Sequence, residues 1–183
     1  MIIIVNGPLG IGKTQTSWAL VRRFPRAVML DADYVAEFHP FDYYNDEHLA
    51  YAHATLRVLT AHHISHGFEH FVINWVFESP FQLDRLKRRL SDLGPPIHAF
   101  RLVCAPDEVE RRVRRRNLPD LEYELRRSRE LIQILDRAAL TGDIGTPLDT
   151  TSLTVEQTAD AILRQIQGTA DHAPDSIAPN SRL

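Results

Sequence analysis

The segment that most restricts this chain is Gly7-Pro8-Leu9-Gly10-Ile11-Gly12-Lys13-Thr14, which fits G-x-x-x-x-G-K-[ST] at every position. Gly7 and Gly12 permit backbone angles and close approaches that a side chain would forbid. Successive N–H groups can then point inward and, with the N-terminus of a following helix, form a cradle for polyphosphate. On that pattern Lys13 reaches the β- and γ-phosphates and the Thr14 hydroxyl ligates Mg²⁺. The loop amides from Gly7 through Gly10, Ile11, Gly12, Lys13, Thr14 and Gln15 are the expected nucleotide contacts. A chance glycine-rich turn is the bland alternative. The context speaks against it, because the β-branched run Ile2-Ile3-Ile4-Val5 precedes the loop and a helical pattern over 13–24 follows. Trp18, Val21, Ala19 and Leu20 are the expected inner face of that helix.

Further apolar runs alternate with periodic segments. Strands are predicted at 27–30, 71–77, 97–103 and 146–150, and helices at 45–67, 80–93, from 106 onward, at 120–138 and from 154. Ser79-Pro80-Phe81-Gln82 and Thr154-Val155-Glu156-Gln157 carry capping signals. Near-continuous apolar strands separated by helices call for an α/β fold, a mainly parallel sheet covered on both faces. Residues 1–167 form the expected single domain, and 168–183 lack periodicity and read as a flexible C-terminal tail.

Composition removes several alternatives. Of 183 residues, 44% are hydrophobic and 25% charged, enough for a real core. No apolar run approaches the ~20 residues that span a bilayer. The net charge of −3 supplies no general field toward nucleic acid or lipid. MIIIVNGPLG has neither a basic leader nor a small-residue cleavage site, and Cys104 is the single cysteine, so a reducing cytoplasm is the expected location.

Asp31 and Asp33 lie at the carboxyl end of the second strand, the edge that faces the ligand crevice in open α/β sheets. Strand alternation would send both to one side. One could hold Mg²⁺ while the other accepts a proton from an attacking hydroxyl; both could equally cap a turn.

Strand, GPLGIGKT, helix, and a strand ending in Asp31-Ala32-Asp33 resemble the small P-loop kinases over roughly residues 1–167. These include the shikimate-kinase-like and chloramphenicol-phosphotransferase-like enzymes and the tunicamycin-resistance ATP-binding proteins. The resemblance implies a three-layer P-loop NTPase fold with a five-stranded parallel sheet and a helical lid, ATP and Mg²⁺ as cofactors, and a small-molecule acceptor. It places Asp31 near the metal and Asp33 at the acceptor. It makes Arg111-Arg112-Val113-Arg114-Arg115-Arg116 part of the lid, with Arg111 and Arg115 the first choices to meet the triphosphate. Acids flank that run and no aromatic interleaves, which disfavours nucleic acid. Asp149-Thr150-Thr151 resembles the loop bordering the adenine, although an ordinary strand-to-helix turn would look the same.

Phe38, His39, Phe41, Tyr43 and Tyr44 suit an acceptor pocket or the core of a flap. The third strand ends Asn74-Trp75-Val76-Phe77-Glu78, unlike the Asp-Gly of nucleoside monophosphate kinases or the glycine run of shikimate kinases. Trp75 would narrow the space those substrates use, and Glu78 or Asn74 stands where the usual acid would be. His62, His63, His66 and His70 lack a completing Cys or acid at ligand spacing. The expected function is an ATP- and Mg²⁺-dependent phosphotransferase acting on a hydroxyl of a metabolite, nucleoside or antibiotic. The alternative is an ATP-binding protein that sequesters a toxic compound without phosphorylating it.

Overall fold

Five strands are present in the computed structural model, which describes residues 1–116 and 119–170: β1 (Ile2–Asn6), β2 (Ala27–Asp31), β3 (His70–Asn74), β4 (Ile97–Val103) and β5 (Thr146–Asp149). They form one sheet in the order β2-β3-β1-β4-β5, with every pair parallel. β1 is central and buried along its whole length, as its unbroken β-branched run requires. Its alternation divides the core. Ile2 and Ile4, with Phe71 and Ile73 of β3, face one side, and Ile3 and Val5, with Val72, face the other.

The helices are α1 (Lys13–Val21), α2 (Ala32–Val35), α3 (Asp46–Ser65), α4 (Pro80–Leu90), α5 (Pro106–Arg115), α6 (Leu121–Ala139) and α7 (Val155–Ala170). Leu49 and Leu56 of α3 and Leu83, Leu86 and Leu90 of α4 cover the Ile2/Ile4 face. Leu20 of α1, Val109 and Val113 of α5 and Ile162 of α7 cover the other. The result is the three-layer α/β arrangement of a P-loop NTPase. Both capping signals act as the sequence implies. Ser79 accepts from the Gln82 N–H, and Thr154 and Gln157 cap each other's backbone reciprocally. Among the described residues, no helix is long and apolar enough to cross a membrane.

Several expectations shift. The first helix stops at Val21 because Pro25 lies ahead, and it buries Thr16, Ser17, Ala19 and Leu20 while Trp18 stays half exposed. Small residues on that face let the helix lie close to the sheet. The third strand ends at Asn74 rather than 77. The paired β1 register runs out at Val5↔Asn74, and the chain beyond is held instead by the Asn6 side chain. Asp33 is not a strand residue. The chain turns into α2 immediately after Asp31, whose carboxylate caps that turn by accepting from the Asp33 N–H at 3.2 Å. Strand alternation therefore does not place Asp33. The tail expected from Gly168 yields to α7, which continues to Ala170; residues 171–183 lie outside the described residues.

Candidate functional site

The loop between β1 and α1 opens at Asn6, a fully buried side chain with every hydrogen-bonding position used. It accepts from Gly7 N–H at 2.7 Å and Phe77 N–H at 2.9 Å, and donates to the carbonyls of Ile144 at 3.0 Å and Phe77 at 3.2 Å. Nothing in the motif pattern announces this pin. Gly10 has φ +79°, and a Cβ there would stand 2.2 Å from Cγ2 of Val113 on α5. Gly12 has φ +106° and caps α1. The first glycine answers a close approach and the second a backbone conformation.

Lys13 is buried, and its ammonium donates to the carbonyls of Gly7 at 3.0 Å and Pro8 at 3.1 Å. Burial lowers its pKa from 10.5 to about 8, against the opposing pull of Asp33 and Asp31 and with a further push from Arg116. Beside it, Thr14 Oγ1 at the start of α1 donates to Asp31 Oδ2 at 3.1 Å, and Asn74 Nδ2 donates to the same oxygen at 3.0 Å. Asn74 Oδ1 is a buried acceptor without a partner among the described residues. Thr14 and Asp31 thus offer two hard oxygen donors side by side, the donor type Mg²⁺ takes. Among the described residues, no three His, Cys, Asp or Glu side chains cluster as a metal site, so a cation here would also draw on ligand oxygens. The glycine cradle, Lys13 and the Thr14–Asp31 pair together fit a magnesium nucleotide.

These groups line one cleft of about 1480 Å³, with Leu9 through Thr16, Asp31, Asp33, Trp75, Glu78 and the inward side of α5 and α6 on its walls. Asp33 is open to solvent, yet the enclosing cleft raises its pKa above the ordinary carboxylate value. Lys13 opposes that rise, and Asp31 adds to it. Tyr43 packs edge-on to Trp75 at 5.9 Å, and its hydroxyl donates to the Val76 carbonyl and to Gln82. Phe38, His39 and Phe41 line the same wall, whereas Tyr44 is mostly exposed and meets Arg127 of α6 at 3.4 Å.

The arginine run divides by role. Arg112 takes the inner position: it pairs with Glu108 at 2.8 Å and donates to the carbonyls of Ile11 at 3.1 Å and Thr150 at 2.6 Å. Arg111 lines the cleft but is held to Glu108, and Arg114 points to Glu110. Arg116 approaches Glu124 at 3.5 Å. Arg115 lines the cleft without an ion pair to any described residue. Sequence periodicity could not single out Arg112, whose partners lie far away in the chain. Asp149 is not among the residues that line the cleft. Its carboxylate accepts from the Thr151 N–H and hydroxyl, and Thr150, Leu153, Thr154, Val155 and Thr158 form that wall instead. Two further residues went unforeseen. Ser128 of α6 donates to the Leu9 carbonyl at 2.9 Å, and Arg127 bridges the cleft to Glu78. Their signal, polar residues on an otherwise amphipathic helix, is too common to find them.

The profile of the AAA domain family matches residues 2–141. No curated protein is significantly similar in sequence. Among solved structures, the Deinococcus radiodurans tunicamycin resistance protein superposes with a TM-score of 0.65 at 22% identity, covering 90% of this chain and 94% of that one. A gluconokinase from Sinorhizobium meliloti 1021 gives 0.62 at 14%, covering 92% and 93%. Shikimate kinase from Acinetobacter baumannii, in complex with shikimate, gives 0.57 at 17%, with the same coverage. At these identities the likeness is one of fold.

Proposed function

We propose that this chain, which belongs to the AAA domain family, is an ATP- and Mg²⁺-dependent phosphotransferase that acts on a hydroxyl of a small molecule. The observation that carries this reading is the meeting of Lys13, the Thr14–Asp31 pair, Asp33 and the unpaired Arg115 in one cleft. Residues 1–167 serve as the catalytic domain, and the cytoplasm is its place of action. Structural neighbours that include a gluconokinase and a shikimate kinase support the class of reaction.

The loop amides from Gly7 to Gln15 and the ammonium of Lys13 bind the phosphates, with Arg111 at the lid edge. Thr14 and Asp31 would hold Mg²⁺, which supplies positive charge against the phosphate oxygens. Asp33 accepts the proton of the attacking hydroxyl while the new oxygen–phosphorus bond forms. The bond from the γ-phosphorus to the bridging oxygen breaks, and ADP departs with those electrons. Arg115, free of a competing carboxylate, neutralises charge that develops on the transferred group. The arginines of the run 111–116 offer little to nucleic acid, since Glu108, Glu110 and Glu124 take up four of them.

Transfer from γ-labelled ATP to a panel of alcohol metabolites, nucleosides and antibiotics tests the proposal. Lys13→Ala should abolish transfer. Asp33→Asn should keep nucleotide binding and lose about 10²–10⁴-fold in turnover. Unlabelled compound retained by the protein would instead identify a sequestering function, the reading favoured by the tunicamycin-resistance neighbour. Transfer that survives Lys13→Ala would overturn the proposed roles.

A further inference from the structure

Around Glu78 the cleft wall has a distinct charge balance. Asp33, Glu37 and Glu78 all line the cleft, and Arg127 is the guanidinium paired with Glu78. The other lining guanidiniums belong to the run 111–116, and Lys13 of the phosphate loop is the cation whose charge acts on Asp33. Arg127 is committed: it pairs with Glu78, also contacts Glu130 at 3.6 Å, and reaches the Tyr44 hydroxyl. Glu78 is largely shielded from water, with its side chain 10% exposed. Its backbone N–H is fixed by Gln82 at 2.8 Å. Gln82 in turn accepts from Tyr43, whose phenol stays neutral because burial, and then the Glu78 charge, push its pKa upward. Hydrogen-bonded, partly buried neighbours therefore set the Glu78 side of the pair.

We infer that Glu78 is a specificity-determining residue: by occupying Arg127 it excludes acceptors that carry an acidic group, so the alcohol phosphorylated here is neutral or cationic. A carboxylate entering beside Glu78 would meet a like charge and find the guanidinium there already paired. Rejection by an unfavourable charge arrangement is a common source of specificity. A neutral alcohol pays no such cost and finds an aromatic wall to pack against. This inference rests on the phosphotransferase reading of the same cleft.

The probes are 4-(hydroxymethyl)benzoate and its methyl ester, which share a ring and a hydroxyl and differ in charge. Their affinities are measured by calorimetry on the full chain with Mg²⁺ and a non-hydrolysable ATP analogue. Wild type should prefer the ester. Glu78→Gln, which frees Arg127 with little change of shape, should improve the affinity for the acid about tenfold relative to the ester. Glu78→Ala should shift the ratio in the same direction and stands in should the glutamine variant not fold. An acid that binds wild type as tightly as the ester, or variants that take up the acid no better than wild type, would overturn the inference. Failure of the ATP analogue to bind wild type would strike the earlier reading instead. Binding without transfer leaves the charge discrimination measurable.

Discussion

The guanidinium of Arg112 donates to the carbonyl of Ile11 at 3.1 Å, joining α5 directly to the backbone of the phosphate loop. The same group reaches Thr150 at the head of the loop before α7, so one side chain spaces two walls of the cleft. Arg112→Met removes charge-assisted bonds worth about 1.5–3 kcal/mol. The expected outcome is weaker ATP·Mg²⁺ binding by about tenfold in calorimetry and a thermal midpoint several degrees lower. Arg111→Met loses only a half-exposed pair with Glu108 and should change stability by less than about 0.5 kcal/mol. Arg115→Ala should leave the melting curve alone and reduce turnover by about 10²–10³-fold. A common response from all three variants would contradict this division of labour.

Much of this arrangement is legible in the sequence, because local chemistry dictates it. The strand before Gly7 is apolar on both faces, the loop spacing is specific, and the capping residues at Ser79 and Thr154 lie within one turn of their partners. Thr14 and Asp31 are likewise predictable as neighbours, since one opens the helix after the phosphate loop and the other ends a strand at the carboxyl edge of the sheet. What escapes is whatever depends on the docking of distant elements. Arg112 rather than Arg111 or Arg115 becomes the clamp because Ile11 and Thr150 happen to meet its face of α5. Trp18 faces out because α1 turns Ser17, Ala19 and Leu20 inward instead. Asn6 looks like an ordinary strand end until Phe77 and Ile144 arrive beside it.

Gly10 and Val113 provide a test of loop geometry independent of catalysis. A methyl group on Gly10 would overlap Val113 Cγ2 at 2.2 Å and require φ +79° of a non-glycine residue. Gly10→Ala should therefore cost about 2–4 kcal/mol in urea unfolding, combining backbone strain with overpacking. Shortening the neighbour should relieve the second part only. The double variant with Val113→Ala is expected to be about 1–2 kcal/mol more stable than the sum of the single effects. Strict additivity would mean that the two residues do not touch.

Asn6 joins the start of the loop to the segments after β3 and before β5. Its replacement by Ala would leave the Gly7 and Phe77 N–H groups and the Phe77 and Ile144 carbonyls without their present partner. Orphaned buried groups are costly, and a loss of about 3 kcal/mol or more is expected in equilibrium unfolding. Asn6→Asp keeps the shape but cannot donate, so it should be at least as damaging at neutral pH. A loss below about 1 kcal/mol for Asn6→Ala would show that water replaces the side chain.

Lys13 gives the protein two opposite responses to alkaline pH. Its pKa in the folded chain is about 8, below the ordinary 10.5, chiefly because the amine is buried. Between those values the unfolded chain binds more protons than the folded one, so Lys13 makes stability rise with pH over that interval. Below about 8 the amine is protonated in both states and its burial penalty is constant. Nucleotide binding runs the other way, because only the ammonium form attracts phosphate, and affinity should fall as pH rises through about 8. Lys13→Met should abolish the alkaline gain in stability, read as the urea midpoint across this pH range. Asp33 helps keep the proton on Lys13, so Asp33→Asn should move the fall in nucleotide affinity to lower pH. Calorimetric titrations of both proteins with ATP·Mg²⁺ at a series of pH values decide the point, and coincident midpoints would show that Asp33 exerts no field on Lys13.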